Sequence, residues 1–353
     1  GGGGGGGGGT GPLTIGKLVR LQFHACFMGC HGFVDPNDQG NTGIREGDLP
    51  TLLALYTASY SASMSKADFY AAASNMALIK AQAIAEEATG SPRSPLPTDE
   101  LAVTFYHGRT DLASQTSQVA LPGGHHDLAA ITSFFVDAFG FSEQEVVAIM
   151  GAHTLGRARR GNSGFNGRWV QRDHALNNRY YADLLERGWV QRPVDPQCAS
   201  GAACRFQWVR AFNDAQGNAV PPNQNGANVM MLNADVAIVD APAYNADGSV
   251  ATQCSVGAMT TPQGAPVAAG LATPQPCADV SGTTHRTKAE EYAGDNALWL
   301  RDFSDAWNKL SANGYAGGEL TAVAWTAPPY DSGLRRAGAA CPTIAVPFLG
   351  VCF

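Results

Sequence analysis

"SEQEVVAIMGAHTLGRAR", residues 142–159, opens on a capping box and runs into a histidine surrounded by small residues. Ser142 can accept the backbone N–H of Glu145 while the Glu145 carboxylate reaches back to the N–H of Ser142, so a helix begins here. Val146, Ile149, Met150 and His153 recur at helical spacing and form its apolar stripe. The spacing predicts one helix over the whole stretch, with His153 on its buried face. Gly151, Ala152 and Gly156 add little bulk around that imidazole, so something large and flat can approach it.

A second stretch, "VRLQFHACFMGC" at 19–30, pairs an arginine with a histidine. Arg20, Phe23 and His24 sit at i, i+3 and i+4 and share one helix face within about 6 Å of rise. Val19, Leu21 and Phe27 crowd the same helix, so Arg20 and His24 are expected to be enclosed and to point into something polar or charged. A neutral imidazole placed like His153 suits axial ligation of haem iron, and a carboxylate accepting its other N–H would fix the tautomer and strengthen the donor. For each histidine alone, a core imidazole with one satisfied hydrogen bond is an open alternative.

The remaining pattern is mainly α. Helices are expected over 13–27, 48–60, 65–88 (begun by Ser65 with Asp68 three on, close to a capping box), 125–140 (ended by Gly140) and 289–314, whose stripe is Leu300, Phe303, Trp307 and Leu310. Residues 190–285 are rich in Pro, Gly, Asn and Asp and read mostly as loops, and the tail from Thr321 reads as an extended strap. The chain has 353 residues, 44% of them hydrophobic, enough for a large core in one two-lobed domain or two packed ones. Its net charge of −7 and the lack of any cluster of five or more Lys and Arg argue against a nucleic-acid partner. No apolar run approaches the roughly 18 residues of a membrane span, and no signal stretch opens the chain, so the expected form is soluble and already processed. Residues 1–9 are all glycine and are set aside as a linker or placeholder.

Eight cysteines fall into four sequence-local pairs, Cys26 with Cys30, Cys198 with Cys204, Cys254 with Cys277 and Cys341 with Cys352. This suggests disulfide staples formed in an oxidising compartment, hence a secreted or extracellular protein. Zinc is the rival, although the spacings lack the usual CxxC or HxxxH partners. There is no N-x-S/T sequon.

Taken together, "RLQFHACF" and "EVVAIMGAHTLGRARRGNSGFNGRW" resemble the distal and proximal motifs of the plant, fungal and bacterial haem peroxidase superfamily. The proximal stretch is most similar to class I members, the cytochrome c and ascorbate peroxidases. The resemblance implies a two-lobed, mainly α fold with haem b between distal and proximal helices: a distal lobe over 10–125, a proximal lobe over 126–320 with a loop-rich insertion at 190–285, and a disulfide strap over 321–353. It implies that His24 is the distal acid–base histidine, Arg20 the distal arginine, Phe23 the aromatic residue over the haem and Asn41 the residue that orients His24. It makes His153 the iron ligand, Asp235 the acceptor of its other N–H, and Trp169 the tryptophan lying against it. Arg159 falls near a haem propionate, and "GRTDL" (108–112) and "ALPGG" (120–124, with Pro122) look like the loop bordering the haem.

The implied activity is reduction of hydrogen peroxide through a ferryl intermediate, with a small phenolic-type reducing substrate. His24 would move the peroxide proton and Arg20 would stabilise charge on the leaving oxygen. The pattern departs from the family at several points. Ala25 stands where secreted members carry a calcium-ligating aspartate, and His31 stands at the acidic position after the second cysteine, which argues against calcium. A Cys26–Cys30 disulfide would resemble that of the secreted plant enzymes, with a loop one residue shorter. Asn162 replaces the ascorbate-holding arginine, while Val170 and Asn177 replace partners of a potassium site to which Thr154 could contribute, so ascorbate and potassium are not expected. The alternative function is an extracellular matrix or filament protein, a possible extracellular assembly that keeps the fold with little turnover.

Overall fold

A computed structural model describes residues 14–45, 49–90, 100–114, 121–186, 188–195, 205–210, 229–242, 254–256, 275–323, 344–346 and 349–351. Over them the fold is mainly α. The helices are α1 (Ile15–Cys26), α2 (Leu49–Ser59), α3 (Lys66–Ala88), α4 (Leu128–Phe139), α5 (Glu143–Met150), α6 (Arg160–Ser163), α7 (Arg179–Glu186), α8 (Asn233–Val236), α9 (Thr284–Gly294) and α10 (Asn296–Ser311). Polar caps start several of them, at Ser65 and Ser142 as the sequence leads one to expect and at Asp127 and Thr283 besides. Ser65 accepts from Asp68 N, Asp127 from Ala130 N and Thr283 from Arg286 N, and Ser142 with Glu145 forms the full capping box. Asp68 does not complete a box at α3. Its carboxylate turns inward to Gly108 N at 2.9 Å and to the buried Arg109 guanidinium at 2.8 Å.

The described residues group into two units, one from Gly1–Thr116 with Trp307–Phe353 and one from Ser117–Ala306. The end of α10 is tied into the first unit. Trp307 Nε1 donates to Asn75 Oδ1 at 2.7 Å, Asn308 Oδ1 accepts from Thr104 N at 2.8 Å, and Arg109 Nη2 donates to Ser311 O at 2.6 Å. In this unit α3 is buried on nearly every face. Its run of alanines lets α1 come close enough for Ser74 Oγ to reach Leu18 O at 2.7 Å. Strand 321–323 pairs antiparallel with 105–107, and 344–346 with 349–351, so the described parts of the strap are extended.

The second unit packs Val147, Tyr181, Trp189, Trp208, Trp299 and Phe303 into its core. It also holds short strands within 190–285, a stretch for which the sequence pattern gave no strand. Strands 230–231, 206–210, 189–193, 254–256 and 275–276 lie side by side in that order as one five-stranded sheet. Trp189 and Trp208 anchor it, fully buried, with their Nε1 donors on Asp183 O and Asn233 Oδ1. The Pro- and Gly-rich runs that suggested loops fall largely outside the described residues.

Two helix expectations are also corrected. The helix expected over 289–314 breaks at Asp295 into α9 and α10. The helix expected to run through His153 to Arg159 stops at Met150 and tightens into a 3-10 turn, Gly151–Thr154. Tyr181 takes the Val147 carbonyl at 2.6 Å, and Trp299 Nε1 takes that of Ala148 at 3.1 Å. These are carbonyls that a continuing helix would have used for its own ladder. A Cβ at Gly151 would lie 2.5 Å from Trp299 Nε1, so only glycine permits this approach.

Candidate active site

In the first unit, the distal set assembles on α1 and the turn that follows it. His24 is buried, and its Nδ1 lies 2.6 Å from Asn41 Oδ1. Asn41 is buried too and gives its Nδ2 to Asp35 O at 2.9 Å, which identifies the atom facing His24 as the carbonyl oxygen. His24 therefore carries its proton on Nδ1 and presents Nε2 as the lone-pair nitrogen. Burial pushes its pKa down to about 3, and the Arg20 guanidinium pushes the same way against the opposing Asn41 bond, so His24 is neutral across the physiological range. Arg20 is part-buried. It is held by backbone carbonyls, Gly40 O at 2.5 Å and Thr42 O at 3.2 Å. The same turn thus positions Arg20 through its backbone and His24 through Asn41. The Phe23 ring stands edge-on to His24 with centroids 5.5 Å apart.

The support under α1 is covalent and polar. Cys26 and Cys30 form a disulfide, and both are buried. Cys30 N donates to Asn313 O at 2.9 Å, Asn313 Nδ2 donates to Cys26 O at 2.7 Å, and Tyr315 OH meets His31 Nδ1 at 2.8 Å. In "GRTDL", Arg109 pairs with Asp68 and Asp111 caps the first N–H groups of α3, so both side chains are committed to packing within this unit. Cys277 is also disulfide-bonded. Cys198, Cys204, Cys341 and Cys352 lie outside the described residues.

In the second unit, one carboxylate organises the proximal set. Asp235 is fully buried on α8 and accepts from four donors. Oδ1 takes His153 Nδ1 at 2.6 Å and the Tyr180 hydroxyl at 2.8 Å; Oδ2 takes Trp169 Nε1 at 2.7 Å and Leu232 N at 2.6 Å. The Trp169 indole stacks on the His153 ring, with centroids 4.2 Å apart and planes 17° apart. A carboxylate can only accept, so His153 donates from Nδ1 and Nε2 carries the lone pair. The His153 side chain is 31% exposed although the carboxylate behind it is 0% exposed, so its outward nitrogen has room for a ligand. This donor set fits a haem iron, which requires one neutral imidazole nitrogen with a fixed tautomer. Pro122 is part-buried in a loop bonded to α8, through Ala234 N to Gly124 O at 3.3 Å and Asn233 Nδ2 to His125 O at 3.2 Å. Arg159 is exposed at the start of α6. Thr154 Oγ1 reaches Ala175 O at 3.5 Å, and Asn177 Oδ1 caps Arg179 N at 3.0 Å.

Sequence reasoning missed Tyr180. Burial and the neighbouring Asp235 hold its pKa well above the ordinary phenol value, so it is a permanent donor. No local pattern marks it, because its partner lies 55 positions further along the chain.

Comparison with known proteins gives a matching result. Residues 9–251 match the family model described as Peroxidase. A protein of Cryptococcus neoformans named a heme-binding peroxidase is 28% identical over 83% of this chain and 70% of its own length. A protein of Oryza sativa subsp. japonica named cytosolic L-ascorbate peroxidase 1 is 32% identical over 40% of this chain and 51% of its own length. A heme-binding peroxidase of Mycosarcoma maydis is 31% identical over 44% of this chain and 41% of its own length. For the latter two relatives the match therefore spans about half of their length or less.

Proposed function

The chain belongs to the peroxidase family, which makes it a haem-dependent enzyme, and within that class we propose that it reduces hydrogen peroxide at the expense of a small phenolic-type donor. The observation that carries this reading is shared by two histidines. His24 and His153 each have Nδ1 engaged by a buried oxygen acceptor, which leaves Nε2 as the lone-pair nitrogen.

His153 would hold a haem b iron through Nε2. When bound, the haem supplies a metal that binds peroxide and exchanges electrons with it. The protein's own groups do the rest. His24 Nε2 takes the proton from the nearer peroxide oxygen and returns it to the farther one, a task for a base that is neutral before the reaction. Asn41 keeps the imidazole in the required tautomer throughout. Negative charge that grows on the leaving oxygen is stabilised by the Arg20 guanidinium, already oriented by Gly40 and Thr42. Trp169, stacked on His153, offers an aromatic path for electrons arriving singly from the donor. Calcium and potassium have no part in this reading, since Ala25, Val170 and Asn177 do not provide the carboxylate and hydroxyl oxygens such ions require.

We also place the protein in an oxidising, extracellular setting, on the support of the Cys26–Cys30 disulfide. The test of function is an absorbance titration of haem-loaded protein with peroxide, followed by steady-state turnover with phenolic donors. Wild type is expected to show a Soret band that shifts on peroxide addition. His24→Leu should keep the band and slow peroxide cleavage by about two to four orders of magnitude. A protein with no Soret band under haem-replete conditions defeats the reading.

A further inference from the structure

The four donors on Asp235 are divided in a way that has a chemical consequence. Oδ1 serves both His153 Nδ1, at 2.6 Å, and the Tyr180 hydroxyl, at 2.8 Å, whereas Trp169 and Leu232 share Oδ2. Two donors on one oxygen draw on the same electron density, so each weakens the bond the other can form. Tyr180 is fully buried and its ring is pinned edge-on between His153, with centroids 6.0 Å apart, and Tyr181, at 5.0 Å. Those contacts keep the hydroxyl on Oδ1.

We propose that Tyr180 is a positioning residue that sets the donor strength of His153 by competing with it for Oδ1 of Asp235. A carboxylate that accepts fully from an imidazole N–H gives the ring imidazolate character and makes it a stronger ligand. Tyr180 holds that effect below its limit. The inference rests on the reading of His153 as the iron ligand. Its sign follows directly. Removing the hydroxyl leaves Oδ1 to His153 alone, strengthens ligation and favours ferric over ferrous iron. A hydroxyl that donates more strongly does the reverse.

Haem-loaded wild type, Tyr180→Phe, and protein with 3-fluorotyrosine introduced at position 180 test this. The fluorinated ring keeps the hydroxyl and nearly the same shape while making the hydroxyl a stronger donor. The readouts are the ferric/ferrous midpoint potential and the iron–imidazole stretching band. Tyr180→Phe is expected to lower the potential and raise the stretching frequency, and the fluorinated protein to shift both the opposite way. Shifts in the same direction for both variants, or no shift in either, overturn the proposal. An iron–imidazole band absent from all three proteins points instead to failure of the ligand assignment. The competition itself is then decided in haem-free protein by the His153 Nδ1–H proton resonance. It should move downfield in Tyr180→Phe, and a stationary resonance overturns the proposal.

Discussion

Acidification should cost this protein folding free energy through His24, and His24→Leu should remove that cost. Burial moves the His24 pKa from 6.5 to about 3, and the Arg20 charge adds to the shift. Below pH 6.5 the unfolded chain therefore binds a proton at this position that the folded chain refuses. A depressed folded pKa means that stability is complete above the unfolded value and is lost as pH falls toward the folded one. At about 1.36 kcal/mol for each pH unit inside that window, lowering the pH from about 7.5 to about 5 removes about 2 kcal/mol. The assay is urea unfolding followed by tryptophan fluorescence, on haem-free wild type and His24→Leu at the two pH values. Leucine removes the titrating group and leaves the Asn41 carbonyl without its donor. That second loss is the same at both pH values and does not affect the difference. His125 and His285 also have depressed pKa values, chiefly through burial, but they occur in both proteins and cancel. Wild type should lose about 2 kcal/mol more than the variant on acidification. Parallel losses, within about 0.5 kcal/mol, would refute the enclosed, neutral His24 on which the proton-transfer role depends.

Other perturbations read other parts of the molecule. Asp235→Asn replaces one acceptor oxygen with an NH2 group, which confronts two of the four buried donors with another donor. The loss should be about 2–6 kcal/mol in urea unfolding, and a loss below about 1 kcal/mol would mean the site relaxes around the amide. Gly151→Ala drives a methyl group into Trp299 and Tyr181, so thermal unfolding should show a loss of about 1–3 kcal/mol; an unchanged midpoint would remove the packing explanation for the turn at His153. Mass spectrometry after alkylation without reduction should find no free thiols, whereas four or more alkylated cysteines would contradict the oxidising compartment.

Local chemistry made a large part of this protein legible. The capping box at Ser142, the caps at Ser65 and Gly140, and the spacing of Arg20, Phe23 and His24 are short-range properties, and the structure contains each of them. His24 with Asn41, and His153 with Asp235 and Trp169, were named from motif resemblance and are brought within hydrogen-bond or stacking distance. The errors lie where distant segments decide. The helix expected through His153 ends early because Tyr181 and Trp299, from elsewhere in the chain, take its carbonyls. The strands within 190–285 were hidden because their pairing is between segments of few residues, separated by runs whose composition signals loop.

What the sequence alone determined is therefore which residues to examine as a candidate site and where the first five helices begin, since both depend on neighbours within a turn or on a motif. Tertiary structure alone decided how those residues are tuned. It gave Asn41 a second partner that sets the tautomer of His24, fastened Arg20 to the backbone of the following turn, and placed the Tyr180 hydroxyl on the oxygen that His153 uses. Each of these depends on the distance between atoms far apart along the chain, which no local pattern of residue types specifies.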